Sequence, residues 1–315
     1  VCPMGIDIAG MVSMARHGMF KAGLIPHELH ETAKKAAETG SPLGVTPEKF
    51  EERLEWMADE HEVDIPLNVE QADVLAVMSS IEIQKYPESM AATAKILNAA
   101  GESWTFRTDG YEATNFGMLS GNVEWQKEAS MKLIDTAIKI GAKRLVLPEC
   151  GHAYMAMRWM GANMYGKPLP FTVQHISEYL AEALNEGRIK VKKVDKSVTY
   201  HDPCQVSRRG GATQAARDVL KHLGVDFREM PNGGDYNWCC GGGGGVVTIK
   251  RADELRHRVF KLKMDQVEST EADELLSSCA NCRQSFDDSQ QHFNWSYKMG
   301  SLLETVAENL EEGKA

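Results

Sequence analysis

Val198-Thr199-Tyr200-His201-Asp202-Pro203-Cys204 decides the fold: a short apolar run of β-branched and aromatic residues that ends in a Pro-Cys turn. Beyond it the pattern predicts a helix over about 212–223 stopping near Gly224, a strand at Asp226-Phe227-Arg228 and a loop carrying Cys239-Cys240-Gly241. A helix over about 250–268 and a third strand, Glu274-Leu275-Leu276, then lead into Cys279-Ala280-Asn281-Cys282. The first half has the same order. Its strand Val74-Leu75-Ala76-Val77-Met78 precedes a helix at about 88–100 that ends at Gly101, the strand Trp104-Thr105-Phe106 and the loop Asn115-Phe116-Gly117. A helix at 123–140 and the strand Arg144-Leu145-Val146-Leu147 then precede Pro148-Glu149-Cys150. Spacings agree: 34 residues from Ile81 to Asn115 against 35 from Cys204 to Cys239, and 35 from Asn115 to Cys150 against 39 from Cys240 to Cys279. An internal duplication explains this, and it predicts an α/β protein of two pseudo-repeated β/α lobes whose corresponding loops meet across a pseudo-twofold axis.

Upstream, Ile8, Met11, Val12, Ala15, Met19 and Phe20 recur at helical spacing until Gly23 and Pro26. A second helix is expected over about 28–38, and a third begins where Thr46 caps and Pro47 takes the first helical position. The methionines of this segment read as core or interface filler. The expected division is a helical segment over 1–70, a degenerate lobe over 71–187 and a complete lobe over 188–315. A helix over 176–184 links the halves, and the basic stretch 188–196 reads as a solvated linker.

The chain has 315 residues, 43% hydrophobic and 25% charged, with a net charge of −10. That charge argues against phosphate-rich or anionic-lipid partners. No run approaches the roughly 18 apolar residues of a membrane span, and no secretory apolar region opens the chain, so a cytoplasmic location is expected. There the seven cysteines suit metal or redox chemistry better than disulfides. The opening Val1-Cys2-Pro3 reads either as the last Cys-Pro of a bacterial ferredoxin run, with Cys2 a ligand of a cubane [4Fe-4S] cluster whose other cysteines lie upstream, or as an isolated buried cysteine beside a turn proline.

Cys204, Cys239, Cys240, Cys279 and Cys282 each end a strand or lie in a loop. Carboxyl ends of parallel strands share one sheet edge, so all five converge there and imply a multinuclear soft-metal site. Zinc needs only four thiolates, and adjacent cysteines suit a cluster better than one tetrahedral ion. The run Gly241–Gly245 lacks the ending of a phosphate loop. It reads instead as backbone free to approach a cluster and donate N–H groups to it.

This constellation resembles the cysteine-rich CCG domain of heterodisulfide reductase catalytic subunits and their relatives, over about residues 70–290. The resemblance implies that the five cysteines hold a non-cubane [4Fe-4S] cluster that binds and cleaves disulfides. The residues around Cys2 likewise resemble the end of the ferredoxin domain preceding it in fused members. Ile81 and Asn115-Phe116 replace the cysteines a second cluster would need, leaving Cys150. Within the family that pattern is similar to the DsrK-type catalytic subunits of the sulfite-reduction-associated membrane complex DsrMKJOP.

The resemblance implies reduction of a disulfide or trisulfide, or its reverse, in dissimilatory sulfur metabolism. The implied partners are a DsrC-like sulfur-carrier protein, whose cysteine-bearing tail enters the emptied half, and a membrane quinone-reactive or haem subunit that holds the chain on the cytoplasmic face. Cys150 and His152 are the expected catalytic pair, with the imidazole protonating a leaving thiolate; alternatively His152 only hydrogen-bonds the backbone. His201 is expected to make a structural hydrogen bond to Asp202 or to backbone, and Trp238 to shield the cluster. Rival readings are an electron-transfer iron-sulfur subunit of a lactate- or glycolate-type dehydrogenase and a zinc-stabilised assembly module.

Overall fold

The structure is a computed structural model and describes residue 2 and residues 4–311. Val1 and Pro3, which belong to the Cys-Pro reading, fall outside the described residues. Three helices come first: α1 (Ile8–Lys21), α2 (His27–Thr39) and α3 (Pro47–His61). Thr46 caps α3 through its side chain, which accepts from the Lys49 N–H, with Pro47 at the first position as the sequence predicts.

The first lobe runs β1 (Val74–Ala76), α4 (Ser80–Lys85), α5 (Glu88–Ala99), β2 (Trp104–Thr105), α6 (Phe116–Ser120), α7 (Val123–Lys139), β3 (Arg144–Leu147), α8 (Gly151–Tyr154), α9 (Gly161–Tyr165) and β4 (Thr172–His175). After α10 (Ile176–Asn185) the second lobe runs β5 (Ser197–His201), α11 (Thr213–Leu223), β6 (Asp226–Phe227), α12 (Asp253–Glu268), β7 (Glu274–Ser277), α13 (Ala280–Phe293), β8 (Met299–Ser301) and α14 (Leu302–Glu308). The two four-stranded sheets have the same order, β2-β1-β3-β4 and β6-β5-β7-β8, and every pairing in both is parallel. The central strands β1, β5 and β7 are buried along their whole length. This explains their unbroken apolar character, because helices cover both faces of a parallel sheet.

One apolar core joins the lobes. Val198, Tyr200 and Leu276 of the second sheet belong to the same cluster as Met90, Leu97 and Val146 of the first lobe, with Ile176, Tyr179 and Leu180 of α10 between them. Each lobe's helices complete the other's packing, as in the pairs α10 with α11 and α5 with α14.

Three expectations are corrected. Residues 188–196 are not simply a solvated linker. Ile189 is buried, Arg188 pairs with Glu102, Glu182 and Glu186, and Val191 bridges to Leu310. The apolar stripe of α1 is not core: no residue of that helix is buried, and Ile8, Met11, Val12, Met14 and Met19 are exposed. Finally, each sheet has a fourth strand that the sequence does not announce. Thr172-Val173-Gln174-His175 and Met299-Gly300-Ser301 are short edge strands, the second without any β-branched residue.

Candidate metal centre

The five cysteines of the second lobe are brought to one site, where the Cys240 and Cys282 sulfurs touch. β5 ends at His201, and the turn Asp202-Pro203 delivers Cys204. β7 ends at Ser277, after which Cys279 takes the position just before α13 and Cys282 lies in its first turn. The loop between β6 and α12 brings Cys239 and Cys240 across to meet both. The Cys204 and Cys240 thiols act on the Cys239 thiol, and the Gly241 N–H donates to its sulfur at 3.3 Å. Together they hold the Cys239 thiol far below its ordinary range, and Cys239 in turn pushes that of Cys204 up. The Cys240 and Cys282 sulfurs share a hydrogen bond at 3.3 Å. Neighbouring Cys282 lowers the Cys279 thiol to about 7 in spite of burial. Cys240, Cys279 and Cys282 are buried, whereas Cys204 and Cys239 are half-buried, so the site is open on the Cys204/Cys239 side.

A buried ion pair buckles the two loops. Asp202 receives both Arg217 terminal nitrogens at 2.8 Å, the Gly234 N–H at 2.7 Å and the Ser207 hydroxyl at 3.1 Å. Its main-chain carbonyl accepts from the Asn237 side chain. Burial raises the Asp202 carboxyl, yet Arg217 and the Gly234 N–H outweigh it and the net shift is downward.

The glycine run fits against this sulfur. Gly241 has φ +85° with the Arg256 carbonyl oxygen 3.0 Å from where a Cβ would sit, a position that a side chain would strain. A Cβ on Gly243 would touch the Cys239 sulfur at 3.8 Å, so bare backbone lines this flank. Five soft thiols gathered on main-chain N–H groups and the first turn of a 14-residue helix are a donor set suited to an anionic iron-sulfur group.

The first lobe meets the centre at the Cys150 loop. The Ala280 N–H donates to the Glu149 carbonyl at 2.6 Å, and the Gly151 main chain helps to lower the Cys279 thiol. Cys150 is buried and its thiol is pushed up by burial and by neighbouring Cys279. His152 Nε2 accepts the Gly244 N–H at 3.2 Å, which leaves the proton on Nδ1. Burial, with Arg16 adding to it, lowers this imidazole to about 4. The backbone hydrogen bond weighed for His152 from sequence is therefore present.

Sequence reasoning erred at three places around the centre. The degenerate half is not an emptied site. Asn115 is buried, with Oδ1 accepting the Met118 N–H at 3.0 Å and Nδ2 donating to the Gln126 carbonyl and the Ser130 hydroxyl at 2.9 and 3.1 Å. Where a second Cys-Cys would lie there is thus a satisfied helix cap. Trp238 is 44% exposed and does not seal the cysteines from water. His201 makes no hydrogen bond to Asp202 or backbone: it is 1% exposed and both ring nitrogens lack a partner among the described residues.

Sequence reasoning also passed over Glu82 and Glu149, wholly buried carboxyls behind the cysteines, raised by burial to about 7 and about 8. Lys263, buried in the α12 stripe Arg256-Phe260-Lys263-Val267, was another omission. A lysine at an apolar helical position was the available signal. Cys2 is half-buried and belongs to no metal-ligand group among the described residues.

Residues 198–287 match the cysteine-rich domain family, CCG, so the match lies within the second lobe. Along nearly the whole chain, the relatives are iron-sulfur and redox proteins. A dihydromethanophenazine:CoB–CoM heterodisulfide reductase subunit of Methanosarcina mazei is 28% identical, covering 98% of this chain and 75% of that protein. An Hdr-like menaquinol oxidoreductase iron-sulfur subunit of Archaeoglobus fulgidus is 25% identical, covering 98% of this chain and 65% of that one. A probable membrane-anchored ferredoxin of Chromohalobacter salexigens is 28% identical, covering 89% of this chain and 42% of that one. No helix among the described residues is long and apolar enough to cross a membrane. With its five cysteines inside the matched segment, residues 198–287 carry a CCG cysteine-rich domain, and the chain as a whole is similar to heterodisulfide reductase-like iron-sulfur subunits.

Proposed function

We propose that Cys204, Cys239, Cys240, Cys279 and Cys282 hold a non-cubane [4Fe-4S] cluster, and that the chain is the subunit at which a disulfide or trisulfide is reduced or formed. The observation that carries this is five cysteines brought to one site, with the Cys240 and Cys282 sulfurs 3.3 Å apart and main-chain N–H and bare glycine backbone against Cys239, one thiol more than a structural zinc requires. When bound, the cluster supplies a reservoir that takes electrons singly from relays and gives two to an S–S bond.

The chain's own residues set how the substrate meets it. Cys240, Cys279 and Cys282 lie behind, so a substrate sulfur comes in at the half-buried Cys204/Cys239 side. His152 hangs from the glycine loop by Nε2, and its Nδ1–H is the donor within this loop that hydrogen-bonds a departing thiolate; Cys150, the thiol of the pair, is beside it. The substrate in this reading is the cysteine-bearing tail of a DsrC-like sulfur carrier, as in DsrK-type subunits of dissimilatory sulfur metabolism. A membrane quinone-reactive or haem subunit is the electron partner and holds the chain on the cytoplasmic face. Cys2 joins a cubane cluster with cysteines from upstream, and the division 1–70, 71–187 and 188–315 separates the ferredoxin-like tail from the two lobes.

Anaerobic purification with metal analysis, visible absorption and paramagnetic resonance tests the cluster, since a zinc protein is colourless. Adding oxidised sulfur-carrier protein tests the substrate. A centre whose resonance no disulfide or trisulfide perturbs overturns the substrate class and favours a pure electron-transfer role.

A further inference from the structure

His201 and Lys263 are two buried nitrogen bases that neither the ligand set nor the substrate path uses. His201 closes β5 with its ring edge-on to Phe286, centroids 5.1 Å apart. Its nearer ring nitrogen and the sulfurs of Cys240 and Cys282 all lie within 4.8 Å of one another. Neither ring nitrogen has a partner among the described residues, in a side chain 1% exposed. A buried N–H left without an acceptor costs roughly 1–3 kcal/mol, so an acceptor belongs there, and the two cysteine sulfurs are the groups it faces at that distance.

Lys263 is also 1% exposed. Its amine contacts the Met230 sulfur at 3.8 Å, a weak acceptor for a charge. Cys240, Cys282, Cys239 and Asp202 all lie close enough to act on that charge. Burial lowers this amine to about 8, and a neighbouring anion is what keeps a buried ammonium charged; five protonated thiols do not supply one. Five thiolates around an iron-sulfur group do.

From this geometry we propose that His201 and Lys263 are positioning residues of the sulfur centre: His201 donates a ring N–H to the Cys240/Cys282 thiolates, and Lys263 balances the charge of the group behind them. The inference rests on the cluster reading and deepens it. His201 is a donor and not a sixth ligand, because five thiolates already exceed one per iron in a four-iron group. Donors and positive charge directed at ligand sulfur stabilise the more negative, reduced state and raise the reduction potential. The pair thus sets the electron affinity of the centre from the side that substrate does not reach.

The test uses the full chain, purified anaerobically with its cluster and labelled with 15N-histidine. Electron-nuclear double resonance on the wild type should show a proton coupling that disappears in D2O, together with a weak 15N coupling. His201→Leu should abolish both with iron per chain unchanged. It should also shift the reduced-to-oxidised equilibrium at least tenfold toward the oxidised form, about 59 mV for one electron. His201→Gln, which keeps an N–H, should restore the proton coupling and most of the potential. Lys263→Met should lower the potential without removing the coupling, and Lys263→Arg should stay near wild type. A strong 15N coupling from a direct iron–nitrogen bond overturns the donor assignment. So does a centre whose potential is unmoved in both His201→Leu and Lys263→Met. If His201→Leu does not fold, the labelled wild type alone decides, because absence of any exchangeable coupling refutes the hydrogen bond. No iron-sulfur signal in the wild type would overturn the cluster reading and this inference together, whereas an intact cluster with unaltered potentials overturns this inference alone.

Discussion

Asp202→Ala should unlock the cysteine centre before it disturbs anything else. Asp202 is 1% exposed and joins Arg217 by two charge-assisted bonds of 2.8 Å, with Gly234 and Ser207 completing its oxygens. Removing one partner of a buried pair costs about 3–5 kcal/mol when the other is left uncompensated. Arg217 keeps Glu229 at 2.9 and 3.0 Å, so the lower end, about 3 kcal/mol, is expected. Asp202→Asn preserves shape but turns an amide against the Arg217 and Gly234 donors, and should cost about as much. Because the folded pKa of Asp202 is depressed, its contribution is present above the unfolded carboxylate value of about 3.9 and lost as pH falls through the folded one. The deficit should therefore be constant between about pH 5 and pH 8 and close only in acid. Urea unfolding of the metal-free protein reads the deficit, and iron per chain after reconstitution reads the consequence for the Cys204 and Cys239 loops. If both variants unfold within about 0.5 kcal/mol of wild type, a margin typical of neutral surface changes, and take up full iron, the buckle argument is wrong.

Cys239→Ala and Cys240→Ala, made singly, should each change iron per chain and the oxidised-state resonance; unchanged values in both would remove the five-ligand reading. Cys150→Ser and His152→Ala should keep full iron but slow turnover of an oxidised sulfur carrier, with His152→Ala also altering the pH profile, and wild-type rates in both would sink the role of this loop. Glu149→Gln should gain stability over wild type as pH rises from about 4.5 toward 8, since the buried carboxyl is raised to about 8 and the folded state holds a proton that the unfolded chain has released. Parallel denaturation curves at about pH 5 and pH 8 check this, and a pH-independent difference would refute it.

The repeat was legible because it is written in buried central strands. Val74-Leu75-Ala76 and Val198-Thr199-Tyr200 have to be apolar on both faces, and their spacing to the loops recurs in both halves. The convergence of five cysteines followed from strand-end geometry alone. What escaped depends on three-dimensional neighbours. The edge strand Met299-Gly300-Ser301 gains its structure from pairing with β7, not from propensity. The exposed stripe of α1 shows that periodicity marks an amphipathic face without saying what covers it. His201 beside Asp202 invited a local hydrogen bond, yet alternation along β5 turns adjacent side chains to opposite faces. Asp202 thus meets Arg217 while His201 meets sulfur.

The asymmetry of the duplication has a physical meaning. Cys150 and Cys279 follow corresponding strands, β3 and β7, and stand next to each other at the junction of the lobes. The degenerate half meets the complete one with main chain: the Glu149 carbonyl takes the first N–H of α13, and the Gly151 main chain acts on the Cys279 thiol. The Glu149 side chain reaches further, accepting the Leu303 N–H at 3.2 Å and facing Arg283 at 3.6 Å, while Glu82 accepts the Glu149 N–H at 3.1 Å. Where the second lobe keeps sulfur, the first has carboxyl and amide groups whose hydrogen bonds hold the wall against which the cysteines are placed. A helix that begins on another lobe's carbonyl cannot keep its first turn in place without that lobe, and Cys282 is in that turn. The half without a full cysteine set is therefore required for the geometry of the half that has one, and the shared apolar core between the sheets makes the two a single functional unit.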